Sequence, residues 1–540
     1  MSEDLDLEQL ENPSPVAPSS GVVGAAVLMM SVSLLSAIAG LVRAMALTWH
    51  YGLTEDLNAY FQAFRIPDFV YFLVAGGAMR TGFVPVFAAY LARRQAAQAW
   101  RTFRATLWFM AVVGALVVAL GMVFAGPLTV LIAPGWRQEA PRLFSLTTYL
   151  MRVMFPAELF MLVGGLLMGT LNAQKHFLWP GVGPIFYNVV IIVAAVVAPL
   201  LWGLPTVAYA VPVSALLCNV LMQIPPLARR GAQWRFLLDL RDEGFKQVFR
   251  LALPIIFGLA IAEINLLVTA ALATSVDPLN GAVAMEFANR LWKFPTRIIG
   301  AGIAIAIFPH LAEHYALGNR EGFRRDFSFG MRSTLFLTLP PALAMLTLAD
   351  PLNRLLFHTS EARYLVSAQA LGWYGLGIVP LSAVYILARA FYARHDTVTP
   401  VWVGITSVAV CVGFALWLGR PMGVGGLALA TSLANLTNAG LLAVVLQRRV
   451  GGLDGGRILS SLLRQIVPCA AFAGLCWGGL RLSYAYLGTA GVLAKLVAVF
   501  GPLSVATVGF LLLAWLFRVE ELTSARNLLL RRFRRRSSAA

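Results

Sequence analysis

Charge is scarce in this chain. Asp, Glu, Lys and Arg make up 12% of its 540 residues, against 59% hydrophobic residues, and the mean hydropathy is +0.76. A soluble domain of this length needs far more polar surface to cover its core, so a water-soluble globular protein is excluded. Cysteine is scarce too. Cys218, Cys411, Cys469 and Cys476 all lie in apolar runs and none forms a C-x-x-C pair, so they read as small hydrophobes in helix packing. The chain has no P-loop and no G-x-S-x-G nucleophile elbow. It also lacks the period-two alternation of a transmembrane barrel. The stretch "HLAEH" at 310–314 matches the H-x-x-E-H zinc pattern. It closes an apolar run, and its repeat counterparts are Val86, Ala89 and Tyr90, so no metal is expected there.

What is present is a succession of apolar runs of about 20 residues, each long enough to cross the hydrocarbon core as a helix. They predict an all-α polytopic membrane protein of about fourteen spans. The limits are 22–48, 59–91, 103–126, 145–171, 180–201, 206–226 and 250–275, then 283–310, 329–349, 365–392, 399–418, 424–446, 463–483 and 490–517. Arg93, Arg94, Arg101, Arg104, Arg229, Arg230, Arg320, Arg324, Arg448 and Arg449 fall on one set of connections. The opposite set holds Arg137, Arg142, Arg354, Arg363, Arg420 and Arg481. The Lys/Arg-rich side is cytoplasmic, which places both termini inside. The net charge of +17 is then the cytoplasmic rim plus a basic tail at 518–540 facing anionic lipid. No nucleic-acid partner is expected, because the cations follow span ends and form no patch with interleaved aromatics. Residues 1–20, acidic and then Pro/Ser-rich, read as a disordered tail, and the first span as an uncleaved targeting signal.

The chain also repeats itself. "FVPVFAAYLA" at 83–92 resembles "IFPHLAEHYA" at 307–316, Gly76 pairs with Gly300 at the same offset, and "NAQKHFLWP" at 172–180 resembles "YARHDTVTP" at 392–400. Six spans are thus duplicated, and an even number makes the repeat parallel. The expected organisation is an N-lobe at 21–228, a cytoplasmic linker at 229–249, a C-lobe at 250–449 and two extra spans within 450–517. The two lobes would enclose a central cavity.

Two matching spans carry charges and helix breakers together. "RIPDFVYFLVAGGAMRTGFVPVF" at 65–87 holds Arg65, Asp68 and Arg80 among glycines and prolines. Its mate "MEFANRLWKFPTRIIGAGIAIAIFPHL" holds Glu286, Arg290, Lys293 and Arg297. Charge and broken helix at membrane depth are tolerated only against protein or a watery cavity, and such paired interruptions point to a transport site. Arg65 and Asp68, three apart, are also spaced to pair along one helix face. Glu263, with Asn265 near it, is a mid-membrane carboxylate suited either to a coupling cation or proton or to a hydrogen-bonded packing role.

At "AYFQAFRIPDF", "GGAMRTGFVPVFAAY", "GTLNAQKHFLWPGVGPIFYNVV", "FPHLAEHYALGNREGFRRDF" and "LARAFYARHDTVTPVWVGITSV" the chain resembles the MurJ (MviN) lipid II flippase family of the multidrug/oligosaccharidyl-lipid/polysaccharide exporter superfamily. The resemblance covers roughly residues 25–450. It implies fourteen spans, two lobes around a cationic cavity, and translocation of an undecaprenyl-pyrophosphate-linked peptidoglycan precursor to the outer leaflet of a bacterial cytoplasmic membrane. It matches Arg43 and Arg290 to cavity arginines, which would hold the anionic headgroup bidentately. Arg65, Arg80, Lys293 and Arg297 are further headgroup candidates, and Glu263 and Asn265 are candidates for a coupling ion. The chain departs from the family pattern at Ala37, Asn58, Tyr71 and Gly76, and Lys293 stands where an acidic residue is frequent. No enzyme chemistry and no resident cofactor are expected. Expected partners are the lipid-linked substrate and membrane lipids, with a cell-wall synthesis complex open and the chain itself a monomer. Two alternatives remain beside this reading: an exporter of another polyprenyl-linked glycan, and a polytopic cell-wall glycosyltransferase.

Overall fold

A computed structural model of the protein describes residues 20–52, 54–73, 79–357, 361–489 and 491–523, with side chains described from residue 31 on and not at 33–34, 79–81, 254–255, 257–259, 261–262 or 361–363. The acidic tail at 1–19, most of the basic tail, Gly76 and the side chain of Arg80 lie outside that description. The described residues are mostly helical and contain no strand. Nine helices among them are long and apolar enough to cross a membrane, or ten if Tyr364–Gly375 and Ile378–Ala393, bent by 42° at their junction, form one span. The fourteen apolar runs fall on helices in the expected order. The first, second and seventh runs include residues outside that description, and the eleventh and twelfth runs share the 53-residue helix Val398–Val450. That helix breaks locally at Gly423, whose φ of 59° and ψ of −143° are open to glycine and strained for other residues. Many large apolar side chains point outward, Leu116, Val193, Trp417 and Leu512 among them, as expected of helices solvated by lipid and not by water.

The duplication is written in the backbone more plainly than in the side chains. Helix Ala96–Val123 recurs as Arg320–Thr347, and Ala125–Ile132 recurs as Ala349–Leu356, each at the offset that pairs Pro85 with Pro309. Left-handed residues recur as well. Arg94 (φ 59°) matches Gly318 (φ 67°), Lys175 (φ 60°) matches His395 (φ 59°), and Gly231 (φ 82°) matches Gly451 (φ 79°). Gly203, with φ 68° and ψ −141°, matches Gly423. The first three pairs turn the chain just after a helix, where a positive-φ residue closes it, whereas Gly203 and Gly423 mark a break outside the left-handed helical region.

The chain forms two compact units, neither contiguous in sequence. The first comprises the described residues within 20–46, 70–120 and 153–256. Its core stacks Phe83 on Phe87, with Trp100 edge-on to Phe87 and Phe103, against Leu162, Leu166 and Leu171. Asp242 ties the connection before helix Glu243–Val276 to helix Ala96–Val123. It accepts from Gln98 Nε2 and Thr102 Oγ1, each at 2.8 Å, and from the Phe245 amide at 2.9 Å.

The second unit comprises the described residues within 47–69, 121–152 and 257–523. Its last two helices, Gly455–Leu487 and Val492–Leu516, pack on Arg320–Thr347 and Ala349–Leu356 through Phe336, Phe472 and Phe510. Segments from the first half of the sequence are fastened to the second half within this unit. Trp136 Nε1 donates to the Pro278 carbonyl at 2.9 Å, and Asn58 Nδ2 donates to the carbonyls of Leu279 at 3.0 Å and Pro278 at 3.3 Å. Arg142 pairs with Asp56 at 2.9 Å, and the Phe61 and Phe287 rings meet edge to face at 5.4 Å.

Candidate functional site

Helix Gly281–Pro295 carries Glu286, Arg290 and Lys293, and Arg297 follows in the next turn. The spacing of four, three and four places these side chains along one face. The helix does not continue as α past Pro295. Residues Thr296–Ala301 form a wide π turn, and a π turn also occupies positions 72 and 73, where 72 matches 296 in the repeat. Pro295 lacks the amide that would bond back into the helix. Gly300 lets Ser382 approach so closely that a Cβ would lie 2.8 Å from the serine Cβ. Single π turns inside α-helices are frequent at functional sites.

Glu286 is the hub. Arg65 Nη2 lies 2.8 Å from its Oε2, and Arg290 Nε lies 2.8 Å from its Oε1, so each carboxylate oxygen has its own guanidinium. The side chains of Arg65 and Glu286 are only 16% and 14% exposed, which makes this pair unlike a surface ion pair. Arg290 also stands over the Phe61 ring at 5.6 Å. Lys293 is half-buried and within electrostatic reach of Arg65, Glu263, Glu286 and Arg297. Glu263, on helix Glu243–Val276, is within electrostatic reach of Lys293 and Arg65. Four cations and two carboxylates thus gather among apolar helices, with a surplus of positive charge.

The structure brings Arg65, Arg290, Lys293, Arg297 and Glu263 into this one cluster. Arg43 belongs to the other unit, half-buried on helix Ser20–Tyr51 with its guanidinium 5.9 Å from the centre of the Tyr187 ring. Asn265 does not join Glu263 as a ligand pair, because residues two apart on a helix face opposite sides. Its side-chain oxygen is buried without a hydrogen-bond partner among the described residues. Arg65 pairs with Glu286 across helices, a contact that local spacing does not reveal. Glu286 stands out in the sequence as a charge in an interrupted span, but its role as hub does not. The available signal is its position one turn before Arg290.

One of the three polar groups of "HLAEH", His314, is paired locally. His314 Nε2 lies 3.1 Å from Asp326 Oδ2, and Asn319 beside it caps the next helix by accepting from the Gly322 amide at 2.8 Å. Asp396 plays a similar capping part before Val398–Val450. It accepts from the amides of Val398 and Thr399 at 3.1 and 3.0 Å, from the Thr399 hydroxyl at 2.7 Å, and from Arg449.

A bundle of apolar helices with duplicated halves and a charge cluster inside it defines a polytopic membrane transporter. The fold is shared with a solved inward-facing MATE family multidrug transporter of the MOP superfamily, at a TM-score of 0.67 and 16% identity over 80% of this chain and 99% of that one. It is shared more fully with a solved lipid II flippase MurJ in an inward closed conformation, at a TM-score of 0.74 and 18% identity over 91% of this chain and 98% of that one. The chain belongs to the lipid II flippase MurJ family, whose model matches residues 50–498. It is 30% identical to the lipid II flippase MurJ of Burkholderia cenocepacia over 77% of this chain and 82% of that one. It is 27% identical to a probable lipid II flippase MurJ of Bdellovibrio bacteriovorus over 94% and 97% of the two chains.

Proposed function

We propose that the protein moves lipid II, the lipid-linked peptidoglycan precursor, from the inner to the outer leaflet of the cytoplasmic membrane by alternating access, both termini lying on the cytoplasmic side. The observation that carries this reading beyond family membership is the cluster of Arg65, Arg290, Lys293 and Arg297 among spanning helices. A pyrophosphate must shed its water to cross, and guanidinium groups replace that water with charge-assisted, bidentate hydrogen bonds. In this reading fourteen spans form two parallel lobes, and the cations line the cavity between them. Arg43 and Arg80 complete the headgroup site. Glu263, within electrostatic reach of the cations, is the group through which a coupling cation or proton would act. The membrane potential supplies about 2.3 kcal/mol per charge per 100 mV for the stroke. The chain works as a monomer. A second reading, export of a different polyprenyl-linked glycan, is favoured by Lys293, a cation where the family resemblance leads one to expect an acid.

The test is complementation in cells depleted of their own lipid II flippase, with lipid II exposed on the outer face measured directly. The wild-type chain restores exposure, and Arg290→Ala abolishes it at an unchanged level of inserted protein. Normal flipping by Arg290→Ala overturns the headgroup-clamp assignment. Failure of a well-inserted wild-type chain to restore exposure favours the second reading.

A further inference from the structure

The two arginines of the cluster are already occupied. Arg65 and Arg290 come to Glu286 from different helices and take one oxygen each, both at 2.8 Å. The carboxylate therefore stands where an oxyanion held by these two guanidiniums would stand. Phe61 lies against Arg290, and Phe287, next to Glu286, packs against both Phe61 and Phe357. This aromatic wall restricts where the guanidiniums can swing. A ligand that takes both guanidiniums bidentately through the Arg65 Nη2 and Arg290 Nε edges must take the place of Glu286.

We propose that Glu286 is an internal competitor for the diphosphate site, a specificity-determining residue that keeps Arg65 and Arg290 paired until a ligand offers more acceptors than one carboxylate. The inference rests on the proposed function for the identity of the ligand, a diphosphate ester. A diphosphate brings more negative charge and several terminal oxygens, enough to engage both guanidiniums bidentately and to draw in Lys293. A neutral glycolipid brings neither, so displacing Glu286 for it would strand two cations in a half-buried site. A cationic amphiphile is repelled by the surplus positive charge. Selection for the anionic headgroup thus comes partly from what must be given up to let it in. Displacement has a second consequence. Arg65 lies in the 47–69 segment and Glu286 in helix Gly281–Pro295, so ligand entry unties one of the links between those two pieces of the chain.

The experiment measures binding of inorganic pyrophosphate to the full chain in lipid nanodiscs by titration calorimetry. Glu286→Gln removes the competitor and keeps the side-chain size. Glu286→Asp keeps the charge and shortens the reach. Glu263→Gln removes a carboxylate from the same cluster that is not bonded to both arginines. Glu286→Gln is expected to bind pyrophosphate about tenfold more tightly than wild type, equivalent to ~1.4 kcal/mol. Glu263→Gln is expected to gain no more than about twofold, the share due to charge alone. Glu286→Asp is expected to lie between wild type and Glu286→Gln. Equal or weaker binding by Glu286→Gln overturns the proposal, and so does an equal gain in Glu263→Gln. The outcome is independent of the cell assay. Restored lipid II exposure with no gain in Glu286→Gln sinks the competitor and leaves the flippase reading standing. A gain in Glu286→Gln without restored exposure keeps the competitor and sinks lipid II as the cargo.

Discussion

Loss of Arg65 is expected to loosen the attachment of the 47–69 segment to helix Gly281–Pro295 without collapsing the cluster. The magnitude follows from the geometry. A charge-assisted hydrogen bond at 2.8 Å between side chains 16% and 14% exposed belongs with bonds worth about 1.5–3 kcal/mol, above the ~0–1 kcal/mol of surface pairs. The loss stays below the ~3–5 kcal/mol of a fully stranded buried charge, because Glu286 keeps Arg290 as a partner. About 2 kcal/mol corresponds to a shift of roughly thirtyfold in the local opening equilibrium. Gln62, fully buried one turn before Arg65, reports that opening when replaced by cysteine. The assay is the rate of labelling of Gln62→Cys by a membrane-impermeant maleimide in intact cells, with Cys469 changed to alanine to lower background. Arg65→Ala is expected to raise the rate by one to two powers of ten, and Arg65→Lys by far less. A change of under about twofold in Arg65→Ala would refute the view that this ion pair fastens the two pieces of chain together.

Two further outcomes follow from contacts near the site and at the cytoplasmic rim. Asn58→Asp is expected to destabilise the protein by about 3 kcal/mol, seen as a lower melting temperature in detergent, because the Asn58 amide donates to two carbonyls and a carboxylate would face them as a third acceptor. For Asp396, partial burial pushes its pKa up, but the Thr399 amide and hydroxyl and the Arg449 guanidinium outweigh burial and leave it below the ordinary carboxylate value. A depressed folded-state pKa contributes stability that is present above the unfolded value, about pH 4, and is lost as the pH falls through the folded value. Acid melting curves are therefore expected to drop below about pH 4 in wild type and to flatten there in Asp396→Asn.

How much was legible in the sequence depended on what each feature is made of. Spans are made of apolar length, and apolar length survives substitution, so the helices fell where the runs lay. The repeat was visible only in short islands such as Pro85 with Pro309. The structure carries it at positions where different residues hold one conformation, as Lys175 and His395 do, because φ is kept while the side chain drifts. The cationic face running from Gly281–Pro295 into Thr296–Ala301 was readable from the helical spacing of Arg290, Lys293 and Arg297. The partnership of Arg65 with Glu286 was not readable, since it joins residues 221 positions apart and depends on how helices pack. The same packing explains why Asn58 is not an acid here: its neighbours at 278 and 279 present carbonyls, and carbonyls call for a donor.

The wide turn at Thr296–Ala301 is a register slip held in place. A π turn contains one residue more than the helix around it, and one residue is worth about 100° of rotation and 1.5 Å of rise in an α-helix. Absorbing the slip would therefore turn helix Gly302–Ala316 like a screw against Gly281–Pro295. The exchange is cheap in hydrogen bonds at its start, because Pro295 has no amide to lose. Arg297 sits inside the slip, so its guanidinium would be carried round while Arg290, one turn before Pro295, stays still. Such a turn would leave one cation on the fixed part of the helix and carry the other with the moving part.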